Sequence, residues 1–268
     1  MGPSLLERYD AFAFDLDGVI WLADHIIPEA PAAIQAVRDA GKPLLFLTNN
    51  ASYVPSWIVA RLGEGGIKIT EDEILTSAIA ARSWIEREGL VGQRAFVLGV
   101  QTVIDGVADL LEVVPVKRGT KVGVVLVARD VDLTYERLTA ASDAVRDGAI
   151  FAASNRDNVM PIPGGFEPGT GSILAAVEAA SNRKAIALGK PELPMMQAAA
   201  DRLGTTGVLM VGDRCDSDVA GARRIGWDAA LVLTGVTRPG DPLDPPPDYV
   251  LTTLADLARD GSSLLRRK

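Results

Sequence analysis

The residues best placed for chemistry lie in Ala11-Phe12-Ala13-Phe14-Asp15-Leu16-Asp17-Gly18, where an apolar run ends in two carboxylates two positions apart and then a glycine. A short apolar run near the start of a chain reads as a buried strand, whose side chains alternate with period two. Packing offers no reason for two acids at the end of such a strand. Close like charges repel, and burial disfavours both ionised forms. A divalent cation resolves the conflict. Hard oxygen ligands suit Mg²⁺, and one carboxylate is then left to act as a nucleophile. The bland reading of Asp15-Leu16-Asp17-Gly18 is a solvated Asp-Gly turn.

Three more apolar stretches end the same way. Lys42 to Leu47 runs into Thr48-Asn49-Asn50, Ala185 to Leu188 into Gly189-Lys190-Pro191, and Val208 to Val211 into Gly212-Asp213-Arg214. In open parallel sheets, ligands sit outside the carboxyl ends of the strands, so groups far apart in sequence meet there. The set holds what attack on a phosphoryl group requires. Asp15 can attack phosphorus. Mg²⁺ held by Asp15, the Asp17 carbonyl and Asp213 offsets the repulsion between nucleophile and phosphate. Thr48 and Lys190 take charge on the equatorial oxygens. Asp17 protonates the leaving alcohol and later activates water. Asp218, on the first turns of the following helix, orients the waters around the metal, with Asp216 as the competing choice.

These groups must be carried by alternating strands and helices, which implies an α/β fold: a doubly wound, parallel, Rossmann-like sheet covered by helices. Helices are expected over Pro31 to Ala40, Ser56 to Glu64, Glu71 to Glu88, Pro194 to Leu203 and Cys215 to Ile225. Late strands are expected at Ala229 to Leu233 and Tyr249 to Leu251, with a closing helix over Leu254 to Arg259. Between the second and third strand ends the pattern repeats on its own: strands at Arg94 to Leu98, Val122 to Val127 and Ala149 to Ala153, helices at Thr102 to Leu111, Thr134 to Arg146 and Ser172 to Ala180. That is enough for a second small core. The expected division is therefore a discontinuous catalytic domain, 1–81 and 184–268, and an inserted domain, 82–183. Gly169-Thr170-Gly171-Ser172 lacks the Gly-Lys-Ser/Thr ending of a nucleotide loop and reads as a tight turn before a helix.

Composition narrows the choices. The 268 residues carry a formal charge of −8, which argues against nucleic acid or an anionic membrane as the main partner. Gly66-Ile67-Lys68 and Arg266-Arg267-Lys268 read as solvated surface. No apolar run approaches the ~18 residues of a membrane span, and the start has no secretory pattern. The single histidine, His25, leaves imidazole-built metal sites without ligands. The single cysteine, Cys215, excludes a disulfide framework and fits a cytoplasmic protein. As a phosphatase nucleophile Cys215 would want an arginine six residues on, where Gly221 stands.

Asp15-Leu16-Asp17-Gly18-Val19-Ile20-Trp21, Thr48-Asn49-Asn50, Gly189-Lys190-Pro191 and Gly212-Asp213-Arg214 with Asp218 resemble, in order and spacing, the four motifs of haloacid dehalogenase-like hydrolases. The Thr-Asn-Asn form, the roughly hundred-residue insertion, Leu233-Thr234-Gly235-Val236 and Pro247-Asp248-Tyr249-Val250 are similar to the NagD-type and 4-nitrophenylphosphatase-type subclass, whose insertion is a cap. The resemblance implies the roles given above. It also implies a substrate-binding part for Thr48, Asn49, Asn50 and Lys190, and pairing of two copies through the cap. Asp17 marks the phosphatase branch, because a dehalogenase leaving group needs no proton. Gly99-Val100-Gln101-Thr102-Val103 and Ser154-Asn155-Arg156-Asp157 depart from the subclass at segments that face the site in relatives.

The expected activity is Mg²⁺-dependent hydrolysis of a small phosphomonoester through an aspartyl-phosphate. A phosphotransferase or mutase would use the same residues. A receiver-type signalling domain also combines an aspartate, a hydroxyl, a lysine and Mg²⁺ at strand ends, but has no use for Asp17 at +2 or for the long insertion. A silent binding protein would not need the complete set.

Overall fold

In the computed structural model of this chain, residues 2–23, 25–162 and 165–259 are described. The Arg266-Arg267-Lys268 patch falls outside them. The chain forms two compact units: Met1–Thr48, Pro55–Leu75 and Lys190–Lys268 make the first, Asn49–Val54 and Thr76–Gly189 the second.

The first unit is built on a six-stranded sheet in the spatial order Tyr249–Leu251, Asp228–Val232, Val208–Gly212, Ala11–Asp15, Leu44–Thr48, Ile74–Thr76. Ala11–Asp15 lies at the centre and pairs in parallel with Val208–Gly212 on one side and Leu44–Thr48 on the other. All three of these strands are buried along their whole length. Their near-continuous apolar runs follow from having helices on both faces. Phe12, Phe14 and Phe46 are fully buried; Phe12 and Phe14 stack at 6.0 Å. Each contributes about 1.5–3 kcal/mol of burial, which is what holds the central strand, and with it Asp15, in place. The chain reverses its winding direction at the central strand, where such sheets open a crevice at their carboxyl ends.

The second unit has its own five-stranded sheet, ordered Ile186–Ala187, Ile150–Ala153, Val124–Val127, Arg94–Leu98, Glu112–Val113, with parallel pairings throughout. Strand alternation divides its core in two. Ala95 and Val97 face a cluster with Trp84, Ile85 and Val107, while Phe96 and Leu98 face one with Ala140, Ala141, Leu174 and Val177.

Several elements differ from the sequence reading. The helix expected over Glu71 to Glu88 is instead a 3-10 turn Glu71–Glu73, a strand Ile74–Thr76 and a helix Ser77–Arg87. Thr70 and Glu73 close a capping box on the turn, Ile74 and Leu75 are buried at the edge of the sheet, and the Thr76 hydroxyl caps the helix through Ile79 N–H. The helix expected over Cys215 to Ile225 is a π-helical turn, Cys215–Val219, followed by a short α-helix, Ala220–Arg224. Two hairpins were not expected: Trp21–Leu22 with His25–Ile26, and Val159–Ile162 with Gly165–Pro168. His25 is exposed on the first of them. Gly169 and Gly171 stand at the start of helix Thr170–Ser181, as a turn there requires. A Cβ on either would lie 2.3 Å from a carbonyl oxygen of the Arg156–Asp157 segment. Among the described residues, no helix is long and apolar enough to cross a membrane.

Candidate active site

Four of the expected site residues meet at the carboxyl ends of the first unit's central strands. Asp15 closes its strand and Asp213 follows the neighbouring one, where Phe14 lies opposite Val211. Lys190 enters from the start of the segment leading to helix Leu193–Leu203. Its Nζ donates to Asp15 Oδ1 and to Asp218 Oδ1, both at 2.7 Å, and lies 3.4 Å from the Leu47 carbonyl. Asp15 also accepts from Leu16 N–H at 2.8 Å.

Asp218 reaches this cluster because the chain after Asp213 turns as a π-helix. Arg214 C=O accepts from both Asp218 N–H and Val219 N–H, the second bond spanning five residues. Such widened turns are frequent at functional sites. Asp218 folds back far enough for its second oxygen to accept from Arg214 N–H. Only a glycine permits this approach: a Cβ at Gly212 would lie 2.2 Å from that of Asp218. Asp216, the alternative for Asp218's role, is instead held outside by two bonds from the Arg214 guanidinium, at 3.0 and 2.8 Å.

Asp213 is wrapped by two glycine turns. A Cβ on Gly18, whose φ is +77°, would sit 2.3 Å from Asp213 Oδ2, and one on Gly235 would sit 2.0 Å from it. Val236 N–H donates to that oxygen at 2.6 Å. The other oxygen, Oδ1, is buried and has no hydrogen-bond partner among the described residues. Buried polar atoms are nearly always paired, so an orphaned carboxylate oxygen marks a missing donor or cation. Ligand oxygens of Asp15, Asp213 and Asp218 lie within 4.8 Å of one another. Three buried carboxylates beside one ammonium leave excess negative charge, and oxygen-only ligands of this kind suit a hard cation such as Mg²⁺. The residues present therefore fit the expected metal.

The charge excess bears on the acid–base properties of the site. Burial raises the Asp15 carboxyl well above its ordinary range; Lys190 opposes this, and Asp218, Asp213 and Asp17 add to it. Burial would lower Lys190, but Asp15 and Asp218 outweigh it and hold the ammonium above its usual value. Asp213 is pushed up to about 7, chiefly by burial and then by Asp218, against the Val236 N–H, Lys190 and Arg214. An unfolded aspartate ionises near about 3.9, so between these values the folded chain binds the extra proton. The stability that Asp213 contributes relative to a neutral isostere is thus present at low pH and is lost as pH rises through about 7. In metal-free protein, the unfolding free energy of wild type minus that of Asp213→Asn is expected to fall by roughly 2–3 kcal/mol from about pH 5 to about pH 8. Denaturant titrations with chelator present measure it, and a flat difference contradicts this placement.

The remaining expected residues are placed differently. Thr48 is buried at the end of its strand, beside the central one. The Asp17 side chain is exposed and accepts from Trp21 Nε1 at 2.9 Å. Asn49 and Asn50 belong to the second unit. There Asn49 Nδ2 donates to Asp157 at 3.0 Å, and its carbonyl accepts from Asn155 Nδ2 at 2.7 Å and Ser77 Oγ at 2.6 Å. Asn50 Oδ1 accepts from Ser52 N–H at 2.9 Å. Sequence reasoning did not find Trp21's bond to Asp17, the wrap of Val236 on Asp213, or the hold of Asn155 and Asp157 on Asn49. Glycine in Leu233-Thr234-Gly235-Val236 was the available signal for the second.

A family model described as haloacid dehalogenase-like hydrolase matches residues 12–111, and one described as HAD-hydrolase-like matches residues 187–257. An acid sugar phosphatase of Staphylococcus saprophyticus is 31% identical over 261 residues, covering 95% of this chain and 99% of its own. Among solved structures, a glycerol phosphate phosphatase of Mycobacterium tuberculosis in complex with magnesium superposes with a TM-score of 0.89 at 29% identity, over 98% of this chain and 80% of that one. A p-nitrophenyl phosphatase of Archaeoglobus fulgidus superposes with a TM-score of 0.86 at 31% identity, over 94% and 98%.

Proposed function

Because this chain belongs to the haloacid dehalogenase-like hydrolases, in the NagD and 4-nitrophenylphosphatase-type subclass, and is a phosphoric monoester hydrolase, we propose that it hydrolyses a small phosphomonoester through a covalent intermediate on Asp15. The observation that carries this reading is the buried cluster of Asp15, Lys190, Asp213 and Asp218, with Asp213 Oδ1 lacking a partner.

An Asp15 carboxylate oxygen bonds to phosphorus as the bond from phosphorus to the leaving oxygen breaks. Asp17 gives its proton to that leaving oxygen. A water then attacks phosphorus and passes a proton to Asp17, and the bond between Asp15 and phosphorus breaks, restoring both acids. Lys190, held between Asp15 and Asp218, sets the orientation of the nucleophile and adds positive charge where the phosphoryl oxygens gather. Thr48, Asn49 and Asn50 complete phosphate binding. Asp15, the Asp17 carbonyl and Asp213, supported by Asp218, would hold Mg²⁺, which would supply the charge that lets a carboxylate approach a phosphate dianion. The 82–183 segment acts as the cap that sets specificity.

Sugar phosphates, glycerol phosphate, phosphoglycolate, nucleoside monophosphates, pyridoxal phosphate and aryl phosphates are the candidate substrates. Release of inorganic phosphate from 4-nitrophenyl phosphate and from a panel of these metabolites, with Mg²⁺ present, tests the reading. Turnover of 4-nitrophenyl phosphate with a marked preference within the panel is the expected outcome. Phosphate transfer to an added alcohol with little release to water would favour a phosphotransferase, and no turnover of any member would reject the reading.

A further inference from the structure

The turn that follows the nucleophile is closed on a single carbonyl. Leu16 C=O accepts from Val19, Ile20 and Trp21 N–H at 3.3, 2.8 and 3.1 Å, and Gly18 N–H donates to Trp21 C=O at 2.7 Å. This winding carries the Trp21 side chain back over Asp17, four residues earlier. Trp21 then enters the short hairpin opposite Ile26. The residue is 4% exposed, and its ring meets Trp57 edge to face, with ring centroids 6.2 Å apart at 73°.

An indole N–H can only donate, and when buried it needs an acceptor. Here the acceptor is Asp17 Oδ1 at 2.9 Å. The pairing joins a buried donor to an exposed carboxylate. Several χ1 and χ2 settings are open to an aspartate, and a hydrogen bond from a buried donor favours those that reach it. A general acid must meet the leaving oxygen at hydrogen-bond distance in one orientation, and loss of that alignment slows proton transfer.

We infer that Trp21 is a positioning residue for Asp17: its indole N–H occupies Oδ1 and thereby sets which carboxyl oxygen carries the transferred proton and where it points. Trp57 in turn holds the Trp21 ring. The inference rests on the acid–base reading of Asp17 given above.

The test uses the leaving group. Proton donation matters little when the leaving oxygen is a stable phenolate and much when it is an alkoxide. Phenyl, 4-nitrophenyl and benzyl phosphate have similar shapes and span that range. In Trp21→Phe, which keeps an aromatic ring and removes the donor, kcat/KM for benzyl phosphate is expected to fall about 10–100-fold, against about 3-fold or less for 4-nitrophenyl phosphate. Replacing Trp21 with 3-benzothienylalanine, which has sulfur in place of the indole N–H, gives the same readout with the ring size retained should the phenylalanine variant fold poorly. An equal fall across the three esters, or no fall, makes Trp21 a packing residue and overturns the inference. Asp17→Asn separates the two layers. If it steepens the leaving-group dependence and the Trp21 variants do not, only the role of Trp21 is lost. If Asp17→Asn does not steepen it, the acid–base reading of Asp17 fails, and the role of Trp21 with it.

Discussion

Asp15→Asn is expected to lower kcat/KM by about three decades or more for every phosphomonoester that the wild-type protein hydrolyses. The amide keeps the shape of the side chain and loses the electron pair that forms the bond to phosphorus. Its structural cost is small, which makes the loss readable as chemistry. Lys190 retains Asp218 at 2.7 Å when Asp15 no longer carries charge. Burial already disfavours the ionised form of Asp15, so a neutral isostere relieves a penalty, and the melting temperature of the variant is expected to match or exceed that of the wild type. In the wild-type protein, a fluoride mimic of phosphate should appear in electron density bonded to an Asp15 oxygen. Near-normal turnover by the folded variant, or the mimic bound elsewhere, would reject Asp15 as the nucleophile.

The parts of this site that were legible in the sequence are those fixed by strand ends. Ala11–Asp15, Leu44–Thr48 and Val208–Gly212 are five-residue runs buried along their whole length, and a polar residue that closes or directly follows such a run lies at the carboxyl end of the sheet. Asp15, Thr48 and Asp213 follow directly, and the order of the parallel strands brings them side by side. Asp218 was legible only as a spacing. Its position depends on a π-helical turn that no local pattern announces, made possible because Gly212 leaves room for its Cβ. The Trp21 bond was hidden for a related reason. A four-residue separation suggests a helix face, but the contact comes from three N–H groups converging on Leu16 C=O, a turn of irregular geometry. Asn49 and Asp157 are 108 positions apart, and nothing local links them. The expected helix over Glu71 to Glu88 failed because three strand residues, Ile74–Thr76, cannot be told from a helical turn by periodicity. The N-cap pattern at Thr76 was the available signal. The short hairpins were missed because strands of two to four residues, with a proline in each strand of the second hairpin, carry almost no alternation.

Removal of divalent cations is expected to abolish turnover, with a fall of about three decades or more, and added Mg²⁺ is expected to restore it. The argument is one of charge. Asp15, Asp213 and Asp218 bring three carboxylates to within 4.8 Å of one another, and the Lys190 ammonium offsets one of them. A phosphate dianion entering that field meets a net negative surface in a region from which water is largely excluded, where repulsion is strong. Protonating a carboxylate lowers the repulsion, and the raised Asp15 and Asp213 show the metal-free site already leaning that way. A proton on Asp15, however, removes the nucleophile. Only a bound cation both lowers the repulsion and leaves Asp15 ionised. The orphaned Asp213 Oδ1 is the atom this account requires. Its loss in Asp213→Asn should raise the Mg²⁺ concentration needed for half-maximal activity by at least about tenfold, roughly the lower end for loss of one charge-assisted contact. Protein treated with EDTA and shown by elemental analysis to be metal-free, yet retaining its full rate, would overturn the account, and so would an Asp213→Asn variant with an unchanged Mg²⁺ requirement.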